Sequence, residues 1–185
     1  MSLTPSTMMP LGTKAPDFNL PDVISKTDKT LEDVKGEEGL VVMFICAHCP
    51  FVKNIEEELG IVARHYQHLG IGFVAISSND VENYPEDSPD ELKKQAETHD
   101  FSFPYLYDES QETAKAYDAA CTPDFFLFDK DMKCTYRGRF DASTPGNNEP
   151  VDGGDLSAAI DAQLDGEPPL EEQLPSMGCN IKWKV

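Results

Sequence analysis

The chain has 185 residues with 39% hydrophobic and 26% charged content, which suits one domain able to bury a core without disulfide or metal staples. A formal charge of -19 at pH 7 repels phosphate backbones and anionic lipid, so neither nucleic acid nor a membrane is expected as a partner. Five cysteines, an odd number scattered along the chain, argue against a secreted disulfide framework, and "MSLTPSTMMPLGTKAPDF" lacks a basic segment followed by an apolar one, so reduced thiols in a cytoplasmic setting are expected.

In chain order, "APDFNL" predicts an early strand, and "LEDVKG" a short helical turn ending at Gly36. "GLVVMFI" is apolar throughout and rich in β-branched residues, the pattern of a buried central strand. The next stretch, "PFVKNIEEELGIVARHYQHLG", places Val52, Ile55, Leu59, Val62 and Tyr66 at helical spacing up to Gly70. A strand "IGFVAIS" and a polar loop "SNDVENYPEDSP" follow. A helix then starts at Ser88 as N-cap, with Pro89 in the first position and Glu91 completing a capping box. "FPYLYD" predicts a short strand and "ESQETAKAYDAA" a helix; "DFFLFD" and "CTYRGRF" form an antiparallel hairpin around "KDM". A last helix spans about Gly154 to Leu164.

From Asp141 to Asn180 there are nine acidic residues and no lysine or arginine, which reads as solvated loops around that helix. The order of elements predicts a three-layer α/β domain with a mixed central β-sheet flanked by helices. Residues 1–12 are read as an N-terminal extension, 13–165 as the domain and 166–185 as a tail. In the tail, Ile181 and Trp183 alternate with Lys182 and Lys184 in strand fashion, so it is expected to be anchored and able to fold back.

Cys46 and Cys49 stand in "FICAHCPFVK", where the apolar strand gives way to the helix. Unpaired backbone N–H groups at a helix start favour a thiolate, so Cys46 is expected to ionise readily, and the spacing lets Cys49 resolve a mixed disulfide. His48 between them adds a group able to stabilise that thiolate. The same pair could be half of a soft-metal site holding zinc or copper(I), completed by Cys121 or Cys179. His65 and His68, three apart, and His99 are assigned to the surface, and Cys134 to a strand without a role.

The segment "GTKAPDFNLPDV" through "GLVVMFICAHCPFVKNIEEEL", with "CTPDFFLFDKDMKCTYRGRFD" farther on, resembles the thioredoxin-like redoxins of the AhpC/TSA superfamily over about residues 13 to 165. The resemblance implies a thioredoxin-like fold and a thiol-disulfide oxidoreductase without an organic cofactor. It would act on a disulfide-bearing protein or a small thiol or peroxide, recharged by a separate reductant. It also implies a cis Pro123 packed against the dithiol, with the Thr122 backbone offering a strand edge to an incoming substrate; His48, Thr122 and Pro50 are the residues expected at that substrate. Two features depart from the family. The acid that thioredoxins bury upstream falls at Leu40, and the peroxidase pattern P-x-x-x-T-x-x-C puts Cys49 in the peroxidatic place but has Val42 and Cys46 for its Pro and Thr. A peroxidase would need a cation, for which Arg137 and Arg139 are candidates, and Cys179 and Cys121 are candidates for a third redox thiol.

Overall fold

The computed structural model describes residues 2–185. Its centre is a five-stranded mixed sheet in the order β6-β5-β4-β8-β9. The strands are β4 (Gly39–Phe44), β5 (Ile71–Ser77), β6 (Tyr105–Tyr107), β8 (Asp124–Phe128) and β9 (Cys134–Gly138). β4 runs parallel to β5 and antiparallel to β8, and it is buried along its whole length, as its unbroken apolar sequence requires.

Alternation along β4 divides the core between the two faces of the sheet. Val41, Met43 and Ile45 join a cluster with Leu59, Val62, Ala63 and Tyr66 of α3 (Glu56–Gln67), Leu92 and Ala96 of α4 (Pro89–Thr98), and Leu156, Ala159 and Ile160 of α6 (Gly154–Leu164). Leu40, Val42 and Phe44 point the other way, toward Val34 of α1 (Leu31–Val34), Ala114 of α5 (Glu112–Ala116), and Tyr117 and Phe126. Edge-to-face contacts link Phe44, Tyr117 and Phe126 at 5.7–5.9 Å between Phe126 and its two neighbours.

Several elements differ from the sequence expectation. "APDFNL" is extended only at its end, where β2 (Asn19–Pro21) pairs with β3 (Asp28–Thr30). The single helix after the cysteines is two: α2 (Pro50–Lys53) and α3, interrupted where Ile55 takes φ -115° and bonds back three residues to Val52 rather than four. Ser88 is the N-cap of α4 but makes no side-chain cap bond, and Glu91 pairs with Lys94 at 2.7 Å; the capping box forms instead at α1, between Thr30 and Asp33.

The ends of the chain build a second sheet. β10 (Met177–Asn180) lies between β1 (Leu3–Pro5) and β7 (Cys121–Thr122), antiparallel to both. Ile181 is buried as expected, but Trp183 is 39% exposed, with Lys115 over its ring, and Lys182 is the buried neighbour. The expected alternation fails there because the backbone beyond Asn180 turns to bond Asn79, Asp80 and Gln111 instead of continuing as a strand.

Phe126 is 2% exposed between two aromatic rings. Phe126→Ala is therefore expected to cost about 3–5 kcal/mol, read as a fall in urea midpoint at unchanged slope.

Candidate active site

The register of the central sheet decides what meets at its end. Phe44, the last residue of β4, pairs with Asp124, the first of β8, so the residues just after β4 face those just before β8. Those are Cys46 to Cys49 on one side and Thr122–Pro123 on the other, and the Thr122–Pro123 peptide is cis. Cys46 Sγ lies 3.6 Å from Thr122 Oγ1 and Cys49 Sγ lies 3.4 Å from the Thr122 carbonyl oxygen. Cys46 is 1% exposed and Cys49 fully buried, while Ala47 and His48 between them are half-buried and Pro50, opening α2, is exposed.

The charge of the pair sits differently from the sequence expectation. Cys49 Sγ gathers hydrogen bonds from Cys46, from Cys179 and from the Val52 backbone, and these outweigh burial to hold its thiol down to about 5. Cys46 is pushed well up, because it is the donor in that shared bond, because it is buried, and because Asp87 places a negative charge nearby. The dithiol thus keeps one proton at neutral pH, on Cys46, and the helix-start donors act on Cys49.

The loop carrying the cysteines is fixed by Asp87, at the end of a 3₁₀ turn in what the sequence presents as a polar loop. Its carboxylate accepts from the backbone N–H of Ala47 (2.8 Å) and His48 (3.0 Å), from His48 Nδ1 (2.5 Å) and from Asn79 Nδ2 (2.8 Å). Burial opposes charge on Asp87, but the bonds from His48 and Asn79 prevail and hold its carboxyl below the usual range. The same carboxylate raises the affinity of His48 for its proton. His48 also stacks on Tyr84 with centroids 6.0 Å apart. Behind Cys46, Gln95 donates to its carbonyl at 3.1 Å and to Glu56 at 2.9 Å, and accepts from Tyr105 at 2.8 Å.

Nothing near the cysteines in sequence marks Asp87, Asn79 or Gln95, which lie 30 or more residues downstream. The one hint is negative, the apolar Leu40 at the position where thioredoxins bury an acid. Leu40 is indeed wholly buried, and a carboxylate reaches the site from the far end of a loop.

Of the other candidates, Cys179 Sγ stands 2.6 Å from Cys49 Sγ. Cys121 does not join it: its thiol is directed at the Pro123 carbonyl, and burial raises its pKa strongly. Beside it Asp124, also buried and pushed up to about 7, accepts from Ser6. Arg137 binds the Met9 carbonyl and Gln173, and Arg139 binds Asp155, so neither cation is turned to the dithiol. Cys134 is a buried strand residue whose thiol meets the Tyr136 carbonyl. His65 and His68 are exposed, whereas His99 is half-buried against Glu56 at 2.9 Å, a correction to its surface assignment. Among the described residues, the metal-ligating groups that converge are Cys46, His48 and Asp87, within 4.8 Å of one another, with His48 and Asp87 already satisfying each other. The Thr122 edge expected to stay open for a substrate carries β10 of the same chain.

No curated protein matches. Two solved structures align over nearly their whole length: an uncharacterized conserved protein from Geobacillus kaustophilus (56% identity, 100% of this chain and 97% of that one, TM-score 0.97) and a hypothetical protein from Sinorhizobium meliloti 1021 (46%, 98% and 99%, TM-score 0.95). A thiol:disulfide interchange protein DsbE from Chlorobium tepidum, described as putative, shares the fold at 22% identity over 85% of this chain and 99% of that one, TM-score 0.66. The AhpC/TSA family profile matches residues 11–137, well over half the chain, and with its thioredoxin-like fold and its cysteine pair set against a cis-proline the protein belongs to the AhpC/TSA family.

Proposed function

We propose that the protein is a thiol-disulfide oxidoreductase working through the Cys46/Cys49 dithiol. The observation that carries this reading is the meeting of both sulfurs with Thr122, at 3.6 and 3.4 Å, from segments more than 70 residues apart. Cys46 Sγ lies within 4.8 Å of a ring nitrogen of the half-buried His48 and keeps 1% exposure where Cys49 has none, so we read it as the sulfur that meets a substrate. Transfer of its proton along the bond to Cys49 makes it the attacking thiolate. Cys46 Sγ then bonds to one sulfur of the substrate disulfide while the other leaves as a thiolate and takes the proton that Cys49 had accepted, which returns Cys49 to a thiolate. Cys49 attacks Cys46 Sγ, the substrate's second sulfur departs, and a Cys46–Cys49 disulfide remains for an external thiol or dithiol to reduce.

A second reading, peroxide reduction, has one observation in its favour. Cys49, the readily ionised thiol, occupies the place that the family's peroxidase pattern gives its reacting cysteine. Against it, Arg137 and Arg139 are both engaged elsewhere. Assays with insulin disulfide and hydrogen peroxide in parallel separate the two. Cys46→Ser is expected to abolish insulin reduction and Cys49→Ser to accumulate a mixed disulfide on Cys46; full reductase activity in Cys46→Ser would refute the reading, and peroxide turnover that survives Cys46→Ser but not Cys49→Ser would favour the second.

The ionisation itself can be read by thiolate ultraviolet absorbance. One thiolate is expected to disappear with a midpoint at about 5 on acidification of the reduced protein, and that transition should be missing in Cys49→Ser.

Asp87 supports the same loop in a pH-dependent way. Its carboxyl is held below the unfolded value, so its contribution is present above about pH 4 and is lost as pH falls through the lower folded pKa. The pKa of His48 is raised, so its contribution is complete below about pH 6.5 and is lost as pH climbs through the higher folded value. Asp87→Asn should destabilise the fold by about 1–3 kcal/mol. The gap from the wild type in urea unfolding should be widest between about pH 4 and 6.5, and a gap independent of pH would show that the ion pair contributes nothing.

A further inference from the structure

The dithiol has a third sulfur in contact with it. Cys179 Sγ is 2.6 Å from Cys49 Sγ, about half an ångström beyond the ~2.05 Å of a sulfur–sulfur bond. Both are almost wholly buried, Cys179 at 1%.

The contact is set by backbone. β10 is held on one edge by β1 and on the other by β7, in a register that puts Cys179 opposite Thr122 and Asn180 opposite Cys121. Ile181 N–H continues the pairing to the Ala120 carbonyl at 3.1 Å. Beside Cys179, a Cβ on Gly178 would fall 2.0 Å from the Thr122 carbonyl oxygen and 3.3 Å from Pro123 N, so only glycine allows the strand to lie this close. Farther on, Lys182 N–H donates to Asn79 Oδ1 at 2.8 Å, and Asn79 in turn holds Asp87. The chain therefore lays its own cysteine along the Thr122 edge, in the way an extended substrate was expected to lie.

Resting on the dithiol reading above, we propose that Cys179 is a third redox thiol that takes the disulfide over from Cys46. Cys179 Sγ attacks Cys49 Sγ of the Cys46–Cys49 disulfide, the Cys49–Cys179 bond forms as the Cys46–Cys49 bond breaks, and the Cys179 proton passes to the departing Cys46 sulfur. No electrons enter or leave in this exchange, so it needs no further oxidant. The oxidised protein then holds its disulfide in the interior between Cys49 and Cys179, and Cys46 is a thiol again. Burial pushes the Cys179 thiol up to about 12, which keeps it protonated, as a hydrogen-bond donor to the Cys49 thiolate, until Cys49 has become a disulfide sulfur.

The test is disulfide mapping of the full chain. The reduced protein is oxidised with one equivalent of oxidised glutathione, quenched in acid, alkylated, digested and read by mass spectrometry. The expected result is a Cys49–Cys179 peptide pair with alkylated Cys46, beside a Cys46–Cys49 population. Gly178→Ala, which keeps all three cysteines, should lower the ratio of the first to the second about tenfold, the effect of a strain of about 1.4 kcal/mol on the strand. A wild-type digest holding only Cys46–Cys49, with Cys179 alkylated, would overturn the relay and leave the dithiol reading intact. Absence of any disulfide at Cys46 and Cys49 would overturn both. Links to Cys121 or Cys134 in the same digest would assign the Cys179 pairing to scrambling in unfolded chains and overturn the relay as well.

Discussion

One buried carboxylate sets the geometry on which the site depends. Asp87 takes two backbone N–H groups from the loop between the cysteines, the ring of His48 and the amide of Asn79. A carboxylate buried without partners would simply protonate; four donors keep it ionised and make it a rigid post for the loop. Its charge also acts on the chemistry. It stands close enough to Cys46 to oppose ionisation there, and so helps leave the single negative charge of the dithiol on Cys49.

Asn79 extends that post to the end of the chain. Its amide nitrogen donates to Asp87 and its oxygen accepts from Lys182, so the loop that orients the dithiol and the segment after β10 share one side chain. Lys182 also lies over Tyr84, the ring on which His48 stacks. The loop between the cysteines, the loop at residues 79–87 and the C-terminal strand consequently form one hydrogen-bonded unit, and a displacement of β10 would be felt at Asp87 as well as at Cys49.

Elements whose sequence carries its own physics were legible. β4 is a fully apolar strand and β5 is apolar up to Ser77, and the hairpin of β8 and β9 has its turn residues in place, so the sheet and the position of Cys46 and Cys49 at its end could be read directly. The pairing of that dithiol with Thr122–Pro123 was legible through family resemblance, since nothing local in "CTPDFF" points to a partner more than 70 residues away. The assignment of charge was not, because it depends on Val52 N–H, Cys179 and Asp87, groups that only the fold assembles. The tail was read in part. Its strand-like apolar content marked it as anchored, but β1 at Leu3–Pro5 carries no periodic signal, and without it the second sheet could not be drawn.

Burial is what separates the three sulfurs chemically. In water all three would titrate together; here the interior penalises charge on each, and only the one that collects several donors escapes the penalty. Cys49 is that sulfur, because it opens a helix, receives the Val52 N–H and stands in contact with two other thiols. Cys46 is raised by acting as donor to it and by burial, and Cys179 by burial and by the same kind of bond. The arrangement makes Cys49 the sulfur common to either pairing, with Cys46 beside the half-buried His48 and Cys179 on the strand that closes the Thr122 edge.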